Sequence, residues 1–327
     1  MNTTSFGVLT CILPRNVHEA VALGRSAARH CPGLGMAVVV EGDLTTEQRA
    51  LLESCFQHII PMRSEHFRLG WQAKNVLFSY TPFERSLFLD ADCLVMGDLG
   101  PAFAKLQGKD LCFVAKSHPG QETGRALFAK VSLQGLMDHF QTDWWPQILG
   151  GGHFYFEKTD AARRLFESAF AWSDLDRLRP FGWTSPNVSD ELTLQMAVVE
   201  EGRARERTLC DEPLVLWTPW VSGNPDVMTG RTYCKGKDGV SFVDETHPVV
   251  HFGGDHQSWI YQRERWRLAF DARCRQRLGV VGGLVRAFNA KWLVGLMAFA
   301  AQKKRRLPGR LKRLLGGGTP QPSPARS

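Results

Sequence analysis

The first 115 residues alternate short apolar runs with stretches that have the period of an amphipathic helix. The runs Gly7–Cys11, Met36–Val40 and His58–Pro61 predict strands. The periodicity of Val17–His30 and Thr46–Phe56 predicts the helices between them. Strands that alternate with helices of this length form a parallel sheet with right-handed crossovers. We therefore expect an α/β fold with a Rossmann-like, mostly parallel central sheet flanked by helices.

The alternation continues with helices expected at Gln72–Ser79 and Gly100–Leu106, and strands at Leu87–Leu89 and Leu111–Ala115. Ligands of such sheets gather at the carboxyl ends of the strands. Thr10, Glu41 and Asp90 fall at or near these ends. The sequence therefore predicts a ligand site at this edge of the sheet.

Two carboxylates, Asp90 and Asp92, follow the apolar run Leu87–Leu89. Side chains of a strand alternate between its faces, so we expect both carboxylates on one face, where they can hold Mg²⁺ or Mn²⁺. The alternative is a solvated turn after a strand. His251 ends the apolar Val249–Val250 run beside two glycines and is a candidate third ligand, although a lone histidine is more often structural.

Glycine-rich phosphate loops are missing from the sequence. The first predicted strand is not followed by G-x-G-x-x-G, and no G-x-x-x-x-G-K-[ST] occurs. Any phosphate must therefore be held in another way, and a metal on Asp90 and Asp92 would supply it.

Charge divides the chain into a body and a tail. No Asp or Glu follows Asp271, whereas residues 272–327 carry 13 of the 40 Lys and Arg residues, which leaves 27 basic and 33 acidic residues in the body. Nucleic-acid binding needs a basic groove on the folded domain, so the acidic body argues against it.

The tail is predicted to be a basic amphipathic helical segment over 272–315, followed by a disordered Gly-, Pro- and Ser-rich end at 316–327. Its polar interruptions argue against a membrane-spanning helix, and its basic, apolar-faced pattern favours an anchor on anionic lipid. The alternative is a helix packed on the body and then a solvated basic run.

The eight cysteines include no C-x-x-C pair, which predicts a reducing compartment and no zinc site. The N-terminus has no positively charged segment ahead of an apolar core, so we expect no signal peptide. Together these features predict a cytoplasmic protein that is peripheral on the inner face of a membrane.

Three segments resemble motifs of family 8 GT-A glycosyltransferases, the group of glycogenin and the bacterial lipopolysaccharide galactosyl- and glucosyltransferases. Arg85–Val95 resembles the family's Leu-Asp-Ala-Asp-x-x-Val signature. Gly150–Gly152 resembles its Asn-x-Gly segment, and His251–Trp259 is similar to its His-Phe-x-Gly-x-x-Lys-Pro-Trp segment. The resemblance spans roughly residues 6–260, and the first motif is the most specific.

The resemblance implies a retaining transferase that uses a nucleotide-diphosphate sugar, most simply a UDP-sugar, with Mn²⁺ or Mg²⁺. It assigns the metal to Asp90, Asp92 and His251 and the catalytic positions to Asp190 and Glu191. The remaining donor-binding positions that it implies, beside Asp90 itself, are Thr10, Glu41, Lys74, Ala91, Gly151, Gly152, Gly254 and Gln257.

Several positions depart from the family pattern. Gln257 stands where a lysine would pair with the diphosphate, and Ser258 replaces proline. Gly150 replaces asparagine, and Ser189 stands where some members place an amide against the anomeric carbon. The departures bear on the donor sugar and the stereochemistry more than on the reaction class.

The resemblance also implies a domain plan. Residues 1–271 would form the GT-A catalytic domain, with a nucleotide-binding half to about 118 and an acceptor-side half at 119–271. We expect the enzyme to glycosylate a glycan or lipid-linked glycan, as in lipopolysaccharide or capsule assembly.

Two other functions stay open on the sequence. The first is a nucleotidyltransferase of similar α/β fold, although Thr10–Arg15 offers no glycine and only one arginine. The second is a non-catalytic carbohydrate- or lipid-binding protein. The chain has ten tryptophans, and those downstream of the aspartates are either sugar-stacking platforms or core filler: Trp144, Trp145, Trp183, Trp217 and Trp220.

Overall fold

The structure is a computed structural model. The residues it describes are 5–114, 131–146, 153–185, 188–203, 205–210, 214–218, 221–223, 225–232, 234–236, 247–253 and 258–278. The chain divides into two compact units, Met1–His256 and Gln257–Ser327.

Eleven strands lie in the described residues: β1 Phe6–Ile12, β2 Gly35–Val40, β3 His58–Pro61, β4 Arg85–Phe88, β5 Cys93–Val95, β6 Leu111–Phe113, β7 Phe154–Glu157, β8 Val215–Trp217, β9 Val221–Gly223, β10 Cys234–Gly236 and β11 Val249–His251. The α-helices of the same residues are α1 Val17–His30, α2 Thr46–Glu53, α3 Gly100–Leu106, α4 Leu133–Phe140, α5 Asp160–Ala171, α6 Leu175–Leu178, α7 Asp190–Glu200, α8 Arg205–Thr208 and α9 Trp259–Leu278. Short 3₁₀ helices cover Pro14–Asn16, Ser64–His66, Gly70–Ser79 and Arg179–Phe181.

The central sheet has six strands in the order β3-β2-β1-β4-β7-β6. The first four of these are mutually parallel, and β7 runs antiparallel to both β4 and β6. The predicted α/β fold with a mostly parallel central sheet is therefore confirmed.

Helices cover both faces of this sheet, so its inner strands are apolar on both sides. Val8 and Val38 belong to one hydrophobic cluster with the apolar residues of α1, whereas Leu9 and Val39 belong to a second cluster with residues of α5 and α7. All six residues of β2 are buried. This two-sided burial explains why the strands read as continuous apolar runs in the sequence.

A second, three-stranded sheet lies in the order β5-β11-β8. Strand β11 runs antiparallel to β5 with His251 opposite Cys93, and it runs parallel to β8. Because β5 follows Asp92 directly, the pairing of β11 with β5 places residues near position 250 beside Asp90 and Asp92.

Element boundaries differ from the sequence predictions at a few points. Strand β4 ends at Phe88, so Asp90 and Asp92 lie in the turn between β4 and β5 rather than on the strand itself. The N–H of Cys93 donates to the carbonyl of Asp90 at 3.0 Å and closes this turn. Helix α2 ends at Glu53, and the helical segment before β4 is a 3₁₀ helix.

Two of the downstream tryptophans are core residues. Trp145 and Trp183 are buried in an aromatic and aliphatic cluster of α4, α6 and α7, and Trp145 Nε1 donates to Gln195 Oε1 at 2.8 Å. Trp144 packs at the edge of the second core cluster. The side chains of Trp217 and Trp220 lie outside the described residues.

The predicted tail is described only over 272–278, where it forms the end of α9. Residues 279–327 lie outside the described part of the chain. None of the helices that the structure does describe combines the length and the apolar character needed to cross a membrane.

Candidate active site

The turn after β4 presents two carboxylates beside an imidazole. His251 Nε2 lies 3.1 Å from Asp92 Oδ1 and 3.5 Å from Asp90 Oδ2. The backbone supports this approach, because the N–H of Phe252 donates to the carbonyl of Asp92 at 3.3 Å. The structure thus brings together the three residues predicted as metal ligands, although a turn and a strand pairing, rather than strand alternation, place them there.

Lys74, on the 3₁₀ helix Gly70–Ser79, links the aspartate turn to helix α7. Its Nζ lies 2.9 Å from Asp90 Oδ1 and 2.9 Å from Asp190 Oδ2. Burial lowers the pKa of Lys74, but the carboxylates of Asp190 and Asp90 outweigh burial and raise that pKa above its ordinary value. For Asp90, burial raises the carboxyl pKa, and the charges of Lys74, His153 and His251 outweigh it and lower that pKa. The lysine therefore stays charged between two carboxylates.

Asn75, next to Lys74, fixes the 3₁₀ helix against two α-helices. The two hydrogens of its buried Nδ2 are shared among Thr193 Oγ1 of α7 at 2.8 Å, Ser173 Oγ after α5 at 2.9 Å and the carbonyl of Ala169 at 3.3 Å. Thr193 Oγ1 in turn donates to the carbonyl of Asp190 at 3.0 Å. This network sets the position of Lys74 relative to Asp190, and sequence reasoning missed it because neither Asn75 nor Thr193 belongs to a motif.

The two predicted catalytic residues begin helix α7. Asp190 and Glu191 are its first two residues, with Ser189 at the N-cap position, and both side chains are buried. Carboxylates in the first helical turn are favoured by the helix dipole. Asp190 reaches the aspartate turn through Lys74, which places it in the same site as the candidate metal ligands.

Two predicted nucleotide-binding residues lie on the neighbouring strand ends. Thr10 lies in β1 opposite Val38 and is fully buried, and within the described residues its hydroxyl has no hydrogen-bond partner. Glu41 follows β2, where its N–H donates to the carbonyl of Ile12 at 2.9 Å and its Oε1 accepts from the N–H of Arg68 at 2.7 Å. Glu41 thus holds the loop before the Lys74 helix.

Of the other predicted donor-binding positions, Ala91 lies in the described part of the chain. Ala91 is partly buried between the two aspartates and packs against the first core cluster. Gly151, Gly152, Gly254 and Gln257 lie outside the described residues, so their assignment stays a prediction.

A histidine that sequence reasoning passed over also lies in the site. His153, directly before β7, is fully buried, and its Nε2 is 3.5 Å from Asp90 Oδ2. Cys93 Sγ lies 3.4 Å from the same nitrogen. The available signal was the position of His153 at the start of an apolar strand, next to the three glycines already noted.

The donor atoms of Asp90, Asp92 and His251 suit a divalent cation. One oxygen or nitrogen of each residue lies within 4.8 Å of those of the other two. Ligand atoms about 2.1 Å from one ion are separated by about 3.0 Å at right angles and about 3.4 Å at tetrahedral angles. The observed separations of 3.1 and 3.5 Å match these values, so the residues fit such an ion.

Comparison with solved structures identifies the architecture as the GT-A fold of glycosyltransferases. The galactosyltransferase LgtC, solved with donor and acceptor sugar analogs, superposes with a TM-score of 0.52 at 16% identity over 81% of this chain and 95% of its own. The bifunctional glycosyltransferase WbbM superposes with a TM-score of 0.51 at 13% identity over 78% of this chain, which spans only 46% of WbbM. No protein-family model matches the sequence, and no curated protein matches it.

Proposed function

We propose that the chain is a metal-dependent glycosyltransferase that moves a sugar from a nucleotide-diphosphate donor to a glycan or lipid-linked glycan. The observation that carries the proposal is the convergence of Asp90, Asp92 and His251 at the carboxyl edge of a GT-A sheet. Ligands of open α/β sheets bind at this edge. The donor is expected to be a UDP-sugar, as the family resemblance implies.

Asp90, Asp92 and His251 would hold Mn²⁺ or Mg²⁺, and the ion would supply positive charge that stabilises the leaving diphosphate. Glu41 orders the loop at the end of β2, and Thr10 offers a buried hydroxyl within β1, two residues before the strand ends. These two residues are proposed to contact the nucleotide, with Ala91 between the metal ligands. From the family resemblance, Gly151, Gly152, Gly254 and Gln257 are proposed as further donor-binding positions.

Lys74 and Asp190 connect the phosphate end of this site to its sugar end. Lys74 places a permanent positive charge between Asp90 and Asp190, at 2.9 Å from each. Asp190, fixed by that contact, is proposed to lie against the donor sugar, with Glu191 beside it at the start of α7. Transfer with retention of configuration is proposed from the family resemblance.

The acceptor and the cellular site are proposed from the sequence. The basic amphipathic pattern of 272–315 suits an anionic membrane surface, and an enzyme held there would meet lipid-linked glycans of lipopolysaccharide or capsule assembly. We therefore propose a cytoplasmic enzyme that is peripheral on the inner face of the membrane.

Donor turnover tests the enzyme assignment. Hydrolysis of a panel of UDP-sugars is measured with Mn²⁺ and with EDTA, for the native chain and for Asp90→Asn. We expect hydrolysis only with the metal and a loss of at least about 100-fold in the variant, since a metal contributes several kcal/mol at such a centre. Asp160→Asn is the matched control, because the Asp160 side chain on α5 is 87% exposed.

The same assay separates the alternatives. A nucleotidyltransferase would instead transfer the nucleotidyl group of a nucleoside triphosphate to a sugar phosphate and release pyrophosphate. A non-catalytic binding protein would show neither turnover nor metal-dependent UDP binding, and Asp90→Asn would then change nothing.

Membrane association is tested by co-sedimentation of the full chain with anionic liposomes. The test variant changes Lys303, Lys304, Arg305 and Arg306 to glutamine. Pelleting that falls in the variant and in zwitterionic liposomes supports the anchor, because attraction to anionic lipid contributes about 1 kcal/mol per basic residue. Equal pelleting of the two proteins contradicts it.

A further inference from the structure

A second group of ligand-type side chains lies directly beside the aspartate turn. Cys93 begins β5, His153 precedes β7 and His251 ends β11. All three side chains are buried. Two sheets thus bring a thiol and two imidazoles together in the interior, where a lone polar side chain would be costly.

The three side chains lie close enough together to share one ion. Cys93 Sγ lies 3.4 Å from His153 Nε2, and the rings of His153 and His251 are 4.3 Å apart between centroids. One ligand atom of each of the three residues lies within 4.8 Å of the other two. Asp90 Oδ2 is 3.5 Å from the Nε2 atoms of both histidines.

The sulfur–nitrogen contact has the length expected of two ligands of one ion. With a metal–sulfur bond of about 2.3 Å and a metal–nitrogen bond of about 2.1 Å, tetrahedral angles separate sulfur from nitrogen by about 3.6 Å. The separation between Cys93 Sγ and His153 Nε2 is 3.4 Å.

We propose that Cys93, His153 and His251 form a site for a thiophilic divalent cation of the Zn²⁺ type. Thiolate and imidazole are the ligands that Zn²⁺ selects, whereas oxygen-rich sets suit Mg²⁺ and Mn²⁺. When the cation binds, the Cys93 thiol releases its proton to solvent and the sulfur takes the metal in its place. The sequence prediction of no zinc site rested on C-x-x-C spacing, and these ligands are instead 60 residues apart or more.

The new site shares a ligand with the carboxylate site. His251 belongs to both ligand sets, so the two sites cannot be filled independently. Because of this overlap, a Zn²⁺-type ion competes with the Mn²⁺ or Mg²⁺ that donor binding needs. This consequence rests on the proposed function. Such an ion would therefore inhibit the transferase by occupying the deeper set.

Co²⁺ absorption tests the thiolate ligand without any enzyme assay. Thiolate coordination to Co²⁺ gives a near-ultraviolet charge-transfer band, and a tetrahedral site gives intense visible bands. We expect both in the full chain and in Cys112→Ala, a matched control that removes another buried thiol, on β6. Both should be lost in Cys93→Ala. A native chain without the charge-transfer band, or a Cys93→Ala chain that keeps it, would overturn the proposal.

Competition between ions tests the overlap. Bound Mn²⁺ is followed by electron paramagnetic resonance while Zn²⁺ is added. One equivalent of Zn²⁺ should release the Mn²⁺ from the native chain, and Cys93→Ala should need at least about 100-fold more Zn²⁺, because loss of a ligand exceeds the 10–100-fold cost of losing a supporting residue. Equal displacement in both proteins would overturn the competition.

The two measurements separate this inference from the proposed function. A Co²⁺–thiolate band in a chain that shows no Mn²⁺-dependent UDP binding supports the thiophilic site and contradicts the transferase. Mn²⁺-dependent turnover without the band supports the transferase and contradicts the thiophilic site. Circular dichroism of each variant establishes that it is folded.

Discussion

Two sets of ion pairs in this molecule have nearly the same geometry and very different surroundings. Lys74 lies 2.9 Å from both Asp90 and Asp190, with side-chain exposures of 14%, 24% and 8%. On helix α5, Arg163 lies 2.8 Å from Glu167, with exposures of 46% and 61%. Water screens the helical pair, whereas the Lys74 group has given up most of its hydration.

The difference teaches what the buried group is for. Removing charges from water costs several kcal/mol per ion, so apolar residues of similar size are often as stable or more stable there. A chain that needed only stability would not require three charges and two histidines at one strand end. Their presence at the ligand-binding edge of the sheet is explained by a charged ligand, which favours the metal and diphosphate assignment.

The largest stability effect is expected at Lys74. Lys74→Met leaves Asp90 and Asp190 buried without their cation, which should lower the free energy of unfolding by about 3–5 kcal/mol in urea titration. Adding Asp90→Asn and Asp190→Asn to Lys74→Met should recover most of the loss, because neutral groups no longer need the cation. A loss below about 1 kcal/mol in the single variant would show that the buried group behaves like the exposed one.

The next effect is expected at Asn75. Asn75→Ala removes the buried amide that donates to Thr193, Ser173 and Ala169, so the free energy of unfolding should fall by about 1–3 kcal/mol. Gln134→Ala is the control, since Gln134 donates to Asp138 on the exposed face of α4 at 2.7 Å and should cost under about 0.5 kcal/mol. Similar losses in the two variants would contradict a special role for the buried network.

Thr10→Val should change the free energy of unfolding and the affinity for UDP in opposite directions. Thr10→Val removes a buried hydroxyl that has no partner among the described residues, and it should raise the free energy of unfolding by about 1 kcal/mol. If that hydroxyl contacts the nucleotide, UDP binding in calorimetry should weaken in the same variant, whereas Thr10→Ser should keep it. A valine variant that binds UDP as the native chain does would remove Thr10 from the donor site.

The smallest effect is expected at the exposed pair. A double-mutant cycle of Arg163→Ala and Glu167→Ala should give a coupling far smaller than the loss expected for Lys74→Met, because water screens this exposed pair. Raising the salt concentration to 1 M should remove most of it, since the Debye length then falls to about 3 Å. A coupling as large as the loss expected for Lys74→Met would contradict the proposed difference between the buried and the exposed ion pairs.

The sequence predicted the fold better than it predicted the site. Apolar runs and helical periodicity located β1, β2, β3 and the helices between them, because two-sided burial imposes a local pattern. It also placed Asp90 and Asp92 at a strand end and proposed His251, which the β5–β11 pairing brings to them. His153 and the Asn75 network were missed because long-range packing, rather than local spacing, places them.

The central claim is that Asp90, Asp92 and His251 hold a cation through which the donor nucleotide binds. Its most direct test is the binding of UDP measured by calorimetry in Mn²⁺ and in EDTA, with Mn²⁺ binding measured in turn with and without UDP. The account predicts that each ligand tightens the other by the same factor, as linkage requires, and that Asp92→Asn abolishes the coupling. UDP binding of equal strength in Mn²⁺ and EDTA, or coupling that survives Asp92→Asn, would contradict it.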